Sequence, residues 1–294
     1  MARILVTGAT GFIGRRLVPA LMEKGHDVRA MTRHPETYDG PGDAVRGDTG
    51  DGDSLYAALA GVSIAYYLVH SLDDKDFEKK DAEAARAFAR AAEARGVDQI
   101  IYMGGLGDDD EELSTHLRSR RQVEGLLAET GVPVTVLRAA IVVGHGGISW
   151  EITHQLVKNL PAMVVPKWAT TKTQPIYIDD VVRYLVGVAG REEAYSRVFE
   201  IGGPDQISYV DMLRIAAEVD RGRKVPIVIV PVLTPRLSSY WLALVTDVDV
   251  TTGRNLIDSM GVEVLVTDRS IEQVVPGAPL GYEESVRRAL AKAE

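Results

Sequence analysis

Gly8, Gly11 and Gly14 recur every third residue between two runs of opposite character. Arg3-Ile4-Leu5-Val6 before them is short, apolar and β-prone; Arg15 to Lys24 after them sets Leu17, Val18, Ala20, Leu21 and Met22 at helical spacing. The pattern predicts a glycine-rich turn leading from a buried strand into a helix. Gly8 would make the tight turn. Gly11 would let the backbone approach a pyrophosphate with no Cβ between, and Gly14 would let the helix pack close on the strand. The unpaired N–H groups of the turn, across Ala9, Thr10, Phe12 and Ile13, would then face an anion. The chemistry implied is dinucleotide binding; the alternative is a glycine-rich βα turn that binds nothing.

The next chemical signal lies at the end of a second predicted strand, His26 to Thr32. Chains that hold the ribose 2′-hydroxyl of NAD place Asp or Glu there; this one has Thr32 followed by Arg33. A carboxylate repels a 2′-phosphate, whereas a guanidinium pairs with it in a planar fork. The expected cofactor is therefore NADP, with Arg15 and Arg16 adding positive charge. A fourth predicted strand, Val62 to Val69, ends in His70-Ser71. Ligands of doubly wound sheets sit at the carboxyl ends of strands, so Leu68, Val69 and His70 are expected beside the cofactor. His70 reads either as a wall of that pocket or as a proton donor.

These groups need a scaffold. The alternation of strand-like and helix-like runs predicts an α/β fold with a parallel sheet. The remaining first-half elements are Ala44–Arg46, Asp53–Leu59, Lys75–Arg95, Val97–Met103 and Val132–Ala139. Beyond residue 144 the pattern predicts helices over 149–160, 179–189, 208–219 and 282–293 and strands over 198–201 and 263–267. Residues 161–168 form an apolar stretch broken by prolines. Residues 225–260, with Tyr240, Trp241, Leu242 and Leu244, read as small-lobe core, as a cleft wall, or as a docking surface.

Composition narrows the function classes. Among 294 residues, 46% hydrophobic, there is no Cys, which excludes disulfides and thiolate catalysis. A net charge of −9 and a pI near 5.3 argue against nucleic acid as a partner. The first strand starts too early for a signal peptide, and no run approaches the ~18 apolar residues of a membrane span. The expected setting is the cytoplasm, with a small-molecule substrate and a possible homodimer. The six histidines show no metal-ligand pairing, and no serine-hydrolase motif occurs.

Thr7 to Gly14 reads TGATGFIG, and at these residues the chain resembles the extended and atypical short-chain dehydrogenase/reductases. YYLVHSL (66–72), IIYMGGLG (100–107), STHLRSRRQVEGLL (114–127), LRAAIVVG (137–144), QPIYIDDVVRYL (174–185) and TPRLSSYWLALVT (234–246) are similar to the NmrA-like branch. Within it they resemble a bacterial group of nucleoside-diphosphate-sugar epimerase-like proteins. The resemblance implies a Rossmann-type doubly wound parallel sheet with a smaller C-terminal substrate lobe. It divides the chain into an NADP-binding domain over 1–145 and a mixed region over 146–294 that holds the last sheet elements and the lobe. It also implies Asp48 on the adenine amino group, Gly104 beside the cofactor, and Arg138 beside the pocket. For Asp48 a turn or cap role competes, and for Arg138 a structural ion pair.

The departures from the family are chemical. Its catalytic members carry a Ser after the fifth strand, then Tyr-x-x-x-Lys on the next helix. Here the serine region reads Gly104-Gly105, and aligning SRRQVEGLL with the family's SKxxxExxL turns Tyr-x-x-x-Lys into His116-x-x-x-Arg120. Arg120 cannot act as a base but can hold a ribose hydroxyl. His116, with an ordinary pKa of about 6.5, is the expected proton donor, with water or Tyr102 next in line. The reading is an NADPH-dependent reductase of a small apolar carbonyl, enone or quinone-type compound. The alternative is a non-catalytic NADP(H)-sensing protein; a sugar-nucleotide epimerase ranks below both, because it relies on the missing Tyr and Ser.

Overall fold

The structure is a computed structural model that describes residues 1–71, 76–107, 114–230, 246–247, 253 and 257–291. Its first half alternates strictly: β1 (Arg3–Val6), α1 (Gly14–Glu23), β2 (Asp27–Thr32), β3 (Asp43–Arg46), α2 (Gly52–Ala58), β4 (Ile64–Tyr67), α3 (Phe77–Ala94), β5 (Gln99–Gly105), α4 (Thr115–Leu127) and β6 (Val134–Ala139). The second half adds β7 (Val142–Val143), α5 (Ile148–Asn159), β8 (Met163–Pro166), β9 (Lys172–Thr173), β10 (Ile176–Tyr177), α6 (Ile178–Gly187) and β11 (Val198–Ile201). It continues through β12 (Ile207–Ser208), α7 (Tyr209–Arg221), β13 (Ile227–Val230), α8 (Ile271–Val274) and α9 (Tyr282–Ala291).

Seven strands form one parallel sheet in the order β11-β6-β5-β4-β1-β2-β3. The chain winds outward from β1 to β3, returns to β4 beside β1, and winds the other way. The order reverses between β1 and β4, where doubly wound sheets bind their ligands.

Successive strand side chains point to opposite faces, and both faces are covered. Ile4, Val6, Tyr66, Ile101 and Leu137 pack in one core with α1 and α6. Leu5, Ala65, Tyr67, Ile100, Tyr102 and Val136 pack in another with α2, α3 and α4, where alanines of α3 allow a close approach. A third cluster joins α5, α7, α9 and β8 around Trp150, Leu213 and Val286.

Three expectations need correction. β5 runs on to Gly105, with Gly104 opposite Arg138 and Gly105 opposite Ala139, so the two glycines end the strand rather than follow it. Residues 161–168 contribute a strand, β8, which pairs with β13. Residues 263–267 make only an isolated bridge, Val264 to Thr173. Side chains capture the backbone donors that a ladder would use: Val266 N–H goes to Gln174 Oε1 at 2.9 Å, and Thr267 and Asp268 N–H to Glu200 Oε2 at 2.6 and 3.0 Å. The cluster Tyr240, Trp241, Leu242 and Leu244 lies outside the described residues, as do the ends of the predicted helices at Lys75 and Ala293.

Candidate functional site

The glycine turn leaves β1 with Gly8 at φ +63°, a conformation that L side chains rarely adopt. A Cβ there would come 3.2 Å from the Leu68 carbonyl oxygen. Thr7 Oγ1 accepts from Leu68 N–H at 2.9 Å and ties the turn to the end of β4. A Cβ on Gly14 would collide with the Gly8 carbonyl and the Ala9 backbone, so Gly14 packs on the start of its own turn, not on the strand as the sequence suggested. Gly11 differs from both. It is exposed, and a Cβ there would meet only Gly8 O, at 3.1 Å.

The start of α1 suits an anion. Its N-cap, Ile13, lends no side-chain acceptor, and its first turn holds no acidic residue. Ala9 is fully buried, while Phe12 closes the turn sideways. A Cβ at Gly144 or Gly147 would come within 3.2 or 2.7 Å of the Phe12 ring. Arg16 locks this contact: its guanidinium lies 4.7 Å from the Phe12 ring centroid and donates to Phe12 O at 2.8 Å and His145 O at 2.7 Å. Arg16 is thus a clamp between the turn and the segment before α5, rather than the added phosphate charge expected of it.

Gly8 and Thr10 open onto a cleft of about 1090 Å³. Thr32, Arg33, Asp48, Val69 and His70 line it too, whereas Gly11, Leu68 and Gly104 are not among its lining residues. Arg33 is exposed there and has no carboxylate within 4 Å among the described residues. Thr32 Oγ1 accepts from His34 N–H at 3.2 Å and shapes the turn that presents Arg33. Asp48 lines the cleft while its Oδ1 accepts from Gly50 N–H at 2.8 Å; the α2 cap is Asp51, which accepts from Asp53 and Ser54 N–H. The sequence reading missed the opposite wall, Lys80, Glu83, Ala84 and Ala87 of α3, together with Thr37. The i, i+3, i+4, i+7 spacing of that wall was the available signal.

His116 and Arg120 lie on α4, outside the residues lining this cleft. They join it electrostatically through His70. Burial first, then the Arg120 and His116 charges, push the His70 imidazole down to about 3. His70 is exposed to the cleft, so solvent there screens part of this push toward the neutral ring. Burial and then Arg120 likewise hold His116 at about 3. Both effects favour the neutral imidazole, more firmly for the half-buried His116 than for the exposed His70. Tyr102 is no substitute. It is fully buried, its hydroxyl donates to Arg120 O at 3.3 Å, and burial raises its pKa.

Arg120 is half-buried and has no carboxylate within 4 Å among the described residues. The acid nearest in the helix register, Glu124, is engaged elsewhere, by Arg138 at 2.6 Å and Arg121 at 3.3 Å. Arg138 is therefore a structural ion-pair residue, the alternative its position allowed. The cluster thus consists of one permanent cation beside two imidazoles shifted toward the neutral form.

A parallel sheet reversing at β1/β4, with a glycine turn and an uncapped helix start at that point, defines a Rossmann-type dinucleotide-binding protein. The NAD(P)H-binding family model matches residues 8–162, and the chain belongs to that family, in its atypical short-chain dehydrogenase/reductase branch. The chain is 27% identical over 230 residues to a mitochondrial NADH dehydrogenase [ubiquinone] 1 alpha subcomplex subunit 9 of Arabidopsis thaliana, covering 74% of this chain and 57% of that one. It is 28% identical over 190 residues to a ceramide reductase of Caulobacter vibrioides, covering 62% and 59%. The chain thus spans less than two thirds of the length of either relative. Its fold is shared with an NADPH-dependent quinone oxidoreductase of Escherichia coli, at TM-score 0.77 and 18% identity, over 96% of this chain and 98% of that one. No helix among the described residues is long and apolar enough to cross a membrane.

Proposed function

We propose that this protein is a cytoplasmic NADP(H)-dependent reductase of a small apolar carbonyl, enone or quinone-type compound. One observation carries the reading: the glycine turn, the Thr32-Arg33 strand end, Asp48 and His70 converge on one cleft, and Arg120, a permanent half-buried cation on α4, is coupled electrostatically to His70 at its wall. Such a group answers negative charge that develops on a substrate oxygen, and low dielectric strengthens it.

The residues fit the cofactor. Gly11 carries no Cβ to obstruct a pyrophosphate, the uncapped start of α1 supplies N–H groups, and exposed Arg33, with no carboxylate within 4 Å among the described residues, suits a 2′-phosphate. Asp48 faces the same cleft and would take the adenine amino group. NADPH, when bound, supplies the hydride. Arg120 would hold a ribose hydroxyl with part of its five-donor fork and present its charge to the substrate oxygen. Neutral His116 would donate a hydrogen bond to that oxygen, and the proton would come from water. The cluster around Trp150 and Leu213 would form the lobe that excludes bulk water from the substrate.

The family's Ser and Tyr are absent, and this favours the second reading, an NADP(H) sensor without turnover. NADPH oxidation measured against a panel of quinones, enones and aldehydes decides between them. Turnover that falls in Arg120→Ala supports the reductase. Tight NADPH binding with no turnover of any compound sinks it.

A further inference from the structure

Charge is spread unevenly along this chain. Asp and Glu total 42 against 33 Lys and Arg, yet residues 152–178 and 221–246 contain no acidic residue. β8 and β13 arise from these two stretches and pair in parallel, with Val164 opposite Val228. Side chains opposite one another share a face of the ribbon. This face is open to solvent: Val164 is 50% and Val228 58% exposed. Lys158, Arg223 and Lys224 precede the two strands at one end of the ribbon, and Lys167 follows β8 at the other. All four are exposed, and none has a carboxylate within 4 Å among the described residues.

We infer that the β8–β13 ribbon is a peripheral docking surface for an anionic lipid bilayer. Exposed β-branched strands invite association, and proteins usually interrupt them with charge. Here every Asp, Glu, Lys or Arg in the two stretches of chain that carry the strands is a cation, and none stands within either strand. Aliphatic side chains gain by leaving water for acyl chains, and lysine and arginine complement anionic headgroups. The face is too small for a stable protein–protein complex, which buries on the order of 1,600 Å². Lipid binding, by contrast, accumulates from a few apolar side chains and several cations. Nucleic acid is disfavoured because single-strand readers offer aromatic platforms, and the exposed ribbon residues are aliphatic. The surface lies apart from the glycine-turn cleft and shares no lining residue with it, so the inference stands whatever the reaction.

The test is flotation of the full chain with vesicles of phosphatidylcholine alone and of equimolar phosphatidylcholine and phosphatidylglycerol, at low and high salt. The wild type should float with the anionic vesicles, and high salt should weaken the association. The triple variant Lys158→Gln/Arg223→Gln/Lys224→Gln should lose about fivefold per cation, about a hundredfold in all. Val164→Ser/Val228→Ser should weaken binding to anionic vesicles while leaving Tm and NADPH affinity unchanged. Failure of the wild type to bind anionic vesicles at low salt would overturn the inference. Indifference of binding to both variants would do the same. A drop in Tm, or a change from dimer to monomer, in the valine variant with unchanged vesicle binding would assign the ribbon to an internal or self-contact instead. Retention on single-stranded DNA as strong as on anionic vesicles would reduce the surface to a simple cation patch and also defeat it.

Discussion

Arg138 grips Glu124 with two parallel hydrogen bonds, Nη2 to Oε1 at 2.6 Å and Nε to Oε2 at 3.1 Å, and so fastens α4 to β6. Arg121 adds a bond from Nη1 to Glu124 Oε2 and another from Nη2 to Gly107 O at 2.9 Å, which ties the same helix to the segment after β5. The helix carrying His116 and Arg120 is thereby fixed against both strands beside it. Removing one partner of a mostly buried pair leaves the other charge stranded. Glu124→Ala should cost about 3 kcal/mol of stability, read as a lower urea midpoint. It should also raise the KM for NADPH, because α4 loses its anchorage.

Arg33 should set the preference for NADP over NAD. It lies exposed in the cleft just past β2, with no carboxylate within 4 Å among the described residues, where an acid would select the 2′-hydroxyl. Calorimetric titration should show tighter binding of NADPH than NADH. Arg33→Ala should weaken NADPH by about tenfold, the worth of a charge-assisted hydrogen bond, and leave NADH unchanged. Equal affinities in the wild type would refute the assignment.

The glycines of the turn should separate by role. Gly11→Val meets only the Gly8 carbonyl oxygen, at 3.1 Å, and otherwise fills the open side of the turn, so it should abolish NADPH binding and lower Tm less than Gly14→Ala does. Gly14→Ala drives its Cβ into the Gly8 carbonyl and Ala9 backbone, so it should lower Tm as well. A Gly11→Val protein that binds NADPH normally would reduce the turn to a structural element.

What the sequence disclosed follows the reach of each interaction. The glycine turn, the alternating strands and the Thr32-Arg33 strand end depend on local backbone geometry and periodicity, so they could be read directly. Arg16 could not, because its acceptor, His145 O, lies 129 positions away. The failed strand at 263–267 has the same origin: Gln174 and Glu200 intercept its N–H groups from distant segments. The α3 wall of the cleft carries no distinctive chemistry and gains its role only by where the helix packs. The acidity of His70 and His116 is also a tertiary property, since burial by non-local elements is its main cause.

Stability should carry the signature of those two rings. Partial burial and Arg120 hold His116 at about 3 in the folded chain, against about 6.5 unfolded, and His70 is shifted in the same direction but screened by the solvent it is exposed to. Between these values the unfolded state binds more protons, so stability rises with pH. The contribution is complete above about 6.5 and is lost progressively as pH falls toward about 3. His70→Gln/His116→Gln should therefore lower Tm less on acidification than the wild type does. Parallel melting curves for the two proteins across that window would remove the burial argument.

The pH dependence of turnover tests the proposed chemistry directly. A histidine acting as general acid from an ordinary pKa would give a rate that falls as pH passes about 6.5. Partial burial and then the Arg120 charge hold His116 down at about 3, which favours a constant neutral state through neutrality. The rate should be flat from about pH 5 to 8 on this account. His116→Gln keeps a neutral N–H donor and should retain most of kcat, whereas His116→Ala removes the donor and should cost about tenfold or more. Arg120→Ala removes the only permanent charge of the cluster. It should lower kcat by roughly 10²-fold, as loss of an oxyanion-stabilising donor does, and raise the KM for NADPH. Stopped-flow measurement of NADPH oxidation over the pH series separates the two mechanisms. A descending limb near 6.5 that disappears in His116→Gln would restore His116 as the acid and show that its surroundings protonate it in the working complex.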